Sequence, residues 1–172
     1  AKKDGRVFAY DKSKLVILCT GGAISGVELK KVLRNVYDIE LEMAGVNYAV
    51  AMSGAGDTRD NFSALENALF AIDDTLSERN GLTKTITPIL PQKAVDPCKT
   101  NGLSGEYVDF DKSSGKISLE NVWAYPPGSP IIVKGEIVCQ DDIKNMTLMY
   151  ENGVSVSSET RRFPSQILVE KQ

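Results

Sequence analysis

Three prolines within five residues, Pro126, Pro127 and Pro130, constrain the fold of this chain more than any other feature. Each proline ring fixes φ at about −65° and removes a backbone donor, so this segment cannot form a helix or a central strand. The β-branched run at 131–133 then predicts a short buried strand, and Glu136 follows shortly after it. The rigid turn and the strand predict a carboxylate held within a narrow range of positions. The alternative is an ordinary surface glutamate after a strand.

The chain of 172 residues contains no histidine, which limits the chemistry open to it. Ser-His-Asp catalysis, Cys-His catalysis and every imidazole general base are excluded. The three cysteines, Cys19, Cys98 and Cys139, are far apart and form no C-x-x-C pair. We therefore expect no metal site, and we expect reduced thiols in a cytoplasmic protein.

The charge pattern argues against two classes of partner. The net charge is −3, and no block of five or more like charges occurs. Neither nucleic acid nor an anionic membrane surface is therefore an expected partner. No apolar run reaches the roughly 20 residues that cross a bilayer, so no membrane-spanning segment is expected.

Residues 1–82 predict a small α/β domain with the element order β-α-β-β-α. The apolar run at 15–19 has the length of a buried strand. Ser25 and Glu28 then have the spacing of a capping box at the start of a helix. Residues 39–43 alternate between apolar and polar side chains, which predicts a half-buried strand and a hairpin into residues 48–52.

A second helix is expected to begin after Asp57 or Thr58. Asn80-Gly81 is a stop signal for it, and a further strand is expected near Thr85-Ile86. The predicted buried stripe of this helix consists of Phe62, Leu65, Leu69, Ile72 and Leu76.

Residues 83–172 predict a proline-rich, mostly β C-terminal subdomain, and the whole chain therefore has an α+β fold. Six of the seven prolines fall within residues 88–130. One helix is expected, with Asp141 or Asp142 as its cap, ending near 151–153. The predicted strands lie at 107–110, 116–119, 131–133 and 166–169.

The Y-P-P-G-x-P-x-x-x-x-G-E pattern at 125–136 resembles the C-terminal region of bacterial Orn/Lys/Arg decarboxylases. These are pyridoxal-phosphate enzymes with an aspartate-aminotransferase-like fold. Residues 37–43 and the Gly56-Asp57-Thr58 junction are also similar to segments of that family, and the resemblance runs in order over residues 10–140. Lys134 stands where the family has proline in a P-G-E sequence.

The resemblance also implies what lies outside this chain. The family holds its cofactor through a lysine in an S-x-H-K motif and stacks a second histidine on the cofactor ring. A chain without histidine contains neither. The resemblance therefore implies a C-terminal part that lacks the large domain that binds pyridoxal phosphate. That domain and further copies of the enzyme are the implied partners, and no cofactor is expected on this chain alone.

In the family, the glutamate that matches Glu136 faces the distal amine or guanidinium of the substrate. Glu136 and Tyr125 are therefore the expected substrate-binding residues, and the substrate would be ornithine, lysine or arginine. No catalytic, cofactor-binding or metal-binding residue is expected, and the isolated chain should be inactive. The alternative is a stand-alone module that binds amino acids for regulation, or one that dimerises. The residues expected to shape the motif are Pro126, Pro127, Gly128, Pro130 and Gly135.

Overall fold

The computed structural model describes residues 9, 11–19, 23–76, 86 and 89–171. The chain divides into a first unit, residues 1–83, and a second unit, residues 84–172. Helices and small antiparallel sheets together make an α+β fold, as predicted. Whether residues 1–82 and 83–172 are independently folding domains stays a prediction.

The first unit has the predicted element order β-α-β-β-α. Its sheet is antiparallel, with β3 between β1 and β2, and β2 and β3 form the expected hairpin. Leu33 and Ile72 from the two helices pack with Ala49 of β3 in one buried core. The elements are β1 (Lys14–Leu18), α1 (Gly26–Tyr37), β2 (Met43–Ala44), β3 (Tyr48–Met52) and α2 (Arg59–Asp73).

Both helices of the first unit begin at capping boxes. The predicted box of α1 is confirmed, because Ser25 Oγ accepts from Glu28 N at 3.1 Å and Glu28 Oε2 accepts from Ser25 N at 2.9 Å. Of the two predicted caps for α2, Thr58 is the one used, in a reciprocal pair with Asn61. Helix α2 ends at Asp73. The predicted stop Asn80-Gly81, and Thr85 of the predicted further strand, lie outside the described residues.

Two predicted strands of the first unit differ from the structure. The run at 15–19 was expected to be buried, but β1 is an edge strand and most of its side chains are exposed. Apolar composition alone cannot tell an edge strand from a central one. The strand predicted at 39–43 is reduced to β2, because Asp38 adopts a left-handed conformation and Ile39 N donates to Leu33 O at the end of α1.

The buried stripe predicted for α2 is partly wrong. Ile72 is buried, and Leu65, Leu69 and Leu76 are partly buried against the core. Phe62 is exposed at the first turns of the helix. The core beneath α2 is therefore filled toward its C-terminal half.

Among the described residues, the second unit contains three small antiparallel sheets, one α-helix and two short 3₁₀ helices. Strand β6 lies between β7 and β9, β5 pairs with β10, and β4 pairs with β8. The largest residues of its buried core include Phe110, Ile132, Met146 and Ile167. The elements are β4 (Gln92–Lys93), a 3₁₀ helix (Pro97–Gly102), β5 (Gly105–Asp109), a 3₁₀ helix (Phe110–Lys112), β6 (Val122–Tyr125), β7 (Ser129–Ile132), β8 (Glu136–Ile137), α3 (Gln140–Glu151), β9 (Ser155–Ser158) and β10 (Gln166–Glu170).

The proline pattern correctly excluded a helix and a central strand. The strand predicted at 131–133 is β7, which starts earlier and includes Pro130. Strand β7 lies at a sheet edge, where a residue without a backbone donor is tolerated. The segment at 116–119 is not a strand; Ile117 and Ser118 form only isolated bridges.

Helix α3 was predicted correctly, but its cap was not. The cap is Cys139, and neither Asp141 nor Asp142 takes that position. Cysteine is outside the usual set of N-cap residues, which is why the sequence pattern placed the cap two or three residues too late. The helix ends at Glu151, and Asn152 is its C-terminal cap, as expected.

Candidate functional site

Residues 125–136 form the tip and outer strand of a β-hairpin and the turn that follows it. Tyr125 ends β6, and Pro126, Pro127 and Gly128 form the tip, where Gly128 N donates to Ala124 O at 2.9 Å. Gly128 has a φ of 97°, which side-chain-bearing residues rarely adopt. The prolines and this glycine therefore fix the shape of the tip.

The hairpin separates the two predicted substrate-binding residues. Tyr125 lies at the tip, where its side chain is 61% exposed. Val122, at the other end of β6, pairs with Ile132, and Glu136 lies beyond Ile132. Three residues of strand span about 10 Å. The structure therefore does not bring Tyr125 and Glu136 together.

The Glu136 side chain is fixed by the turn in which it lies. Its Oε2 accepts from Val133 N at 2.8 Å, and its backbone N donates to Val133 O at 3.1 Å. Its carbonyl oxygen accepts from Ser118 N at 2.9 Å. The residue is half-buried, and among the described residues no lysine or arginine forms an ion pair with it. A half-buried carboxylate held in this way can receive a cation.

Gly135 connects this turn to the neighbouring loop. Its N donates to Ser118 O at 2.7 Å, and its carbonyl oxygen accepts from Ala94 N and Val95 N at 2.9 and 3.0 Å. Its φ is 91°, and a Cβ at this position would lie 2.2 Å from Val95 O. Only glycine fits this position without a rearrangement.

Asn121 and Glu159 contact Lys134, the residue of the turn that precedes Gly135. The sequence pattern indicated neither Asn121 nor Glu159. Asn121 Oδ1 accepts from Lys134 N at 3.0 Å, and Asn121 Nδ2 donates to Glu159 Oε1 at 2.6 Å. The ammonium of Lys134 is 3.6 Å from the same Glu159 oxygen. The lysine that replaces the family's proline is thus paired with Glu159.

Glu120 is a second residue that sequence reasoning missed. It is only 1% exposed, yet each carboxylate oxygen accepts a backbone hydrogen bond, from Leu168 N at 2.7 Å and from Thr160 N at 2.9 Å. The donors are 48 and 40 residues away in sequence, so no local pattern could reveal them. Glu120 therefore ties β10 and the chain after β9 to the start of β6.

Two of the three cysteines, Cys19 and Cys139, have raised thiol pKa values. Burial raises the pKa of Cys19. Burial, followed by the hydrogen bond with the Asp142 side chain, raises the pKa of Cys139. A protonated thiol is a poor nucleophile and a poor metal ligand. Within the part of the chain that the structure describes, no three Cys, Asp or Glu side chains are placed to hold a metal ion.

Two lysines have pKa values shifted away from what a Schiff base with pyridoxal phosphate requires. A lysine that forms a Schiff base is activated by a lowered pKa. The hydrogen bond with Asp96 raises the pKa of Lys93, and the bond with Asp109 raises that of Lys112. The chain also has no histidine to stack on the cofactor ring.

None of the helices among the described residues is long and apolar enough to cross a membrane.

Comparison with known protein families identifies the family that the segment at 125–136 resembles. A family model described as Orn/Lys/Arg decarboxylase, C-terminal domain, matches residues 80–157. Residues 80–157 are therefore similar to the C-terminal domain of this family. The match contains the whole segment at 125–136, and the resemblance predicted from that segment is confirmed.

Curated relatives extend the similarity to most of the chain. The arginine decarboxylase of Bacillus subtilis is 28% identical over 152 residues, which are 87% of this chain and 31% of the relative. The arginine decarboxylase of Halalkalibacterium halodurans is 29% identical over 140 residues, 79% of this chain and 28% of the relative. The chain therefore spans less than a third of the length of these curated relatives.

Solved structures agree at the level of the fold. The constitutive lysine decarboxylase of Escherichia coli superposes with a TM-score of 0.67 at 15% identity, over 94% of this chain and 32% of that chain. The lysine decarboxylase LdcF of Francisella novicida gives a TM-score of 0.66 at 18% identity, over 93% of this chain and 31% of that chain. The arrangement of elements is thus shared with about a third of each of these two lysine decarboxylase chains.

Proposed function

We propose that this chain is the C-terminal part of a pyridoxal-phosphate-dependent decarboxylase of ornithine, lysine or arginine. Its part in the reaction is to recognise the substrate side chain and to support the site. The observation that carries the proposal is Glu136, a half-buried carboxylate within the family segment, held by Val133 N and without a cationic partner among the described residues.

The physical basis is a charge-assisted hydrogen bond. A carboxylate held in one position binds an ammonium or guanidinium group more strongly than a neutral acceptor does. The ammonium of Lys134 pairs with Glu159, so it is engaged elsewhere. When bound, the cofactor supplies the electron sink for decarboxylation, and we place it on the part of the enzyme that this chain does not span.

Tyr125 remains a proposed second contact. Because it lies at the opposite end of the hairpin, one small substrate would reach it only with a different group from the one that Glu136 binds. We also keep homo-oligomerisation and a cytoplasmic location as proposals for the complete enzyme. The free thiols of Cys19, Cys98 and Cys139 are compatible with a reducing compartment.

The decisive experiment is decarboxylation of arginine, lysine and ornithine by the complete polypeptide and its Glu136→Gln variant. Glutamine keeps an oxygen for Val133 N but removes the charge. We expect kcat/KM to fall about 10- to 100-fold, mainly through KM, because a hydrogen bond to a charged group is worth about 1.5–3 kcal/mol. The control is Glu151→Gln, at an exposed glutamate that ends α3. Equal kinetics in the two variants would refute the role of Glu136.

Experiments on the isolated 172-residue chain distinguish the proposal from its alternatives. We expect no decarboxylation, and no lysine that borohydride links permanently to added pyridoxal phosphate. Calorimetry with lysine, arginine and ornithine should give no micromolar binding. Micromolar binding would instead favour a stand-alone amino-acid-binding module, and self-association without ligand would favour a dimerisation module.

A further inference from the structure

The three-stranded sheet of the first unit has one covered face and one open face. Ile17, Ala49 and Ala51 point toward the helices and pack in or against the buried core. Because side chains alternate along a strand, their neighbours point to the other side. We call that side the open sheet face; its residues are Lys14, Val16, Leu18, Met43, Tyr48, Val50 and Met52. Val50 at its centre is buried and Met43 and Tyr48 are half-buried, so the exposed part of the face lies along β1 and at Met52.

The open sheet face is apolar where a solvated face would be polar. Val16 is 61% exposed, Leu18 is 67% exposed and Met52 is 54% exposed. Lys14 is its only charged residue. Antiparallel sheets that face water normally alternate apolar side chains inside with polar ones outside. This pattern therefore indicates a surface that another element covers in the assembled protein.

The backbone edge and the opposite side of β1 point to the same conclusion. Among the described residues β1 pairs only with β3, and an apolar edge strand is a template for another strand. On the helix side of β1 lies a groove of about 730 Å³, lined mainly by apolar side chains that include Leu15, Ile17, Phe62, Leu69 and Phe70. Three apolar surfaces thus meet along one strand.

We propose that the open sheet face and the edge of β1 are the docking surface for the larger, N-terminal part of the decarboxylase. This inference rests on the proposed function. The relatives are about three times as long as the stretch this chain matches, and the matched family is a C-terminal domain. Strand β1 is the first described element, so it lies nearest in sequence to the missing part. Lys14 at one end of the face favours an apolar partner element that carries an acidic residue.

Hydroxyl-radical footprinting of the 172-residue chain, alone and within the complete decarboxylase, tests this docking. We expect Leu18 and Met52 to be labelled in the chain alone and protected at least fivefold in the complete protein. Val36, on α1 and 68% exposed, is the control and should be labelled equally in both. Protection of Leu18 in the monomeric chain alone would overturn the proposal, because the chain would then cover the face itself. A genome that encodes no larger decarboxylase part, on the same polypeptide or a separate one, would also overturn it.

Two matched variants test the energetics of the same surface. Leu18→Glu and Val36→Glu each place a charge at an exposed apolar position, so neither should shift the Tm of the isolated chain by more than about 3 °C. In the complete protein, Leu18→Glu should raise labelling of Met52 at least threefold, and Val36→Glu should leave it unchanged. No change with Leu18→Glu would contradict docking. Loss of a concentration-dependent dimer of the isolated chain would assign the surface to a second copy instead.

The footprinting of the docking surface and the kinetics of Glu136→Gln can fail separately. If Leu18 is protected in the complete protein but Glu136→Gln has normal kinetics, the docking surface stands and the role of Glu136 fails. If Leu18 stays labelled in the complete protein while Glu136→Gln raises KM, the role of Glu136 stands and the docking surface fails.

Discussion

Gly135 is the residue on which the position of Glu136 depends most directly. Gly135→Ala would place a methyl group against the Val95 carbonyl in a left-handed conformation. We expect a loss of about 2–4 kcal/mol in the free energy of unfolding, measured by denaturant titration of the 172-residue chain. Gly102→Ala is the control, because a Cβ there meets no atom within 4 Å. A similar stability of both variants would contradict the close approach of Gly135 to Val95.

Glu120 supports the same region through its buried carboxylate. In Glu120→Gln the single amide oxygen can accept from only one of Leu168 N and Thr160 N, and the amide NH₂ faces the other donor. We expect the free energy of unfolding to fall by about 1.5–3 kcal/mol. Denaturant titration beside the exposed-site variant Glu151→Gln checks this. An unchanged midpoint in Glu120→Gln would mean that the two hydrogen bonds contribute nothing to stability.

Helix α3 begins at a thiol, which gives this element an unusual dependence on pH. Cys139 Sγ accepts from Asp142 N, and the pKa of the thiol is raised in the folded chain. A raised pKa means that the stabilisation is complete below the ordinary thiol pKa of about 9 and is lost as pH rises above it. We expect Cys139→Ser, which caps without titrating in this range, to lose less stability above that pH than the parent chain.

A second variant at the same position isolates the cap itself. Cys139→Ala removes the acceptor, and it should cost about 1 kcal/mol at neutral pH relative to Cys139→Ser. Thermal unfolding at pH 7 and at high pH measures both effects. If the stability of Cys139→Ser and of the parent chain changes with pH in the same way, the raised pKa of the thiol is contradicted. If Cys139→Ala and Cys139→Ser are equally stable at pH 7, the role of Cys139 as the helix cap is contradicted.

The elements that sequence predicted well are those whose signals are local. The Ser25–Glu28 capping box and the β2–β3 hairpin each depend on residues a few positions apart. The features that the sequence did not predict depend on distant partners. Glu120 forms hydrogen bonds with residues 40 and 48 positions away, and the exposure of β1 depends on which elements pack beside this strand. For the same reason the Tyr125–Glu136 motif identified the family, but not the separation of those two side chains.

At the scale of the whole molecule, the two units differ in how completely they cover their own apolar surface. The second unit has a closed core built from residues within 108–169. The first unit leaves the part of the open sheet face along β1 and at Met52 uncovered. We therefore expect residues 83–172 to fold alone and residues 1–82 to be the less stable fragment, because uncovered apolar area contributes nothing to the hydrophobic free energy of folding.

Expression of residues 83–172 and 1–82 as separate chains tests this expectation. Fragment 83–172 should unfold cooperatively, with a Tm close to that of the 172-residue chain. Fragment 1–82 should unfold at a lower temperature. Within the complete protein, where another element covers β1, the same residues should be more stable than in the fragment. A cooperative fold of 1–82 with the higher Tm of the two would contradict both the proposed domain boundary and the energetic reason given for it. If only 83–172 fails to fold, its closed core requires residues before 83, and the boundary must be moved toward the N-terminus.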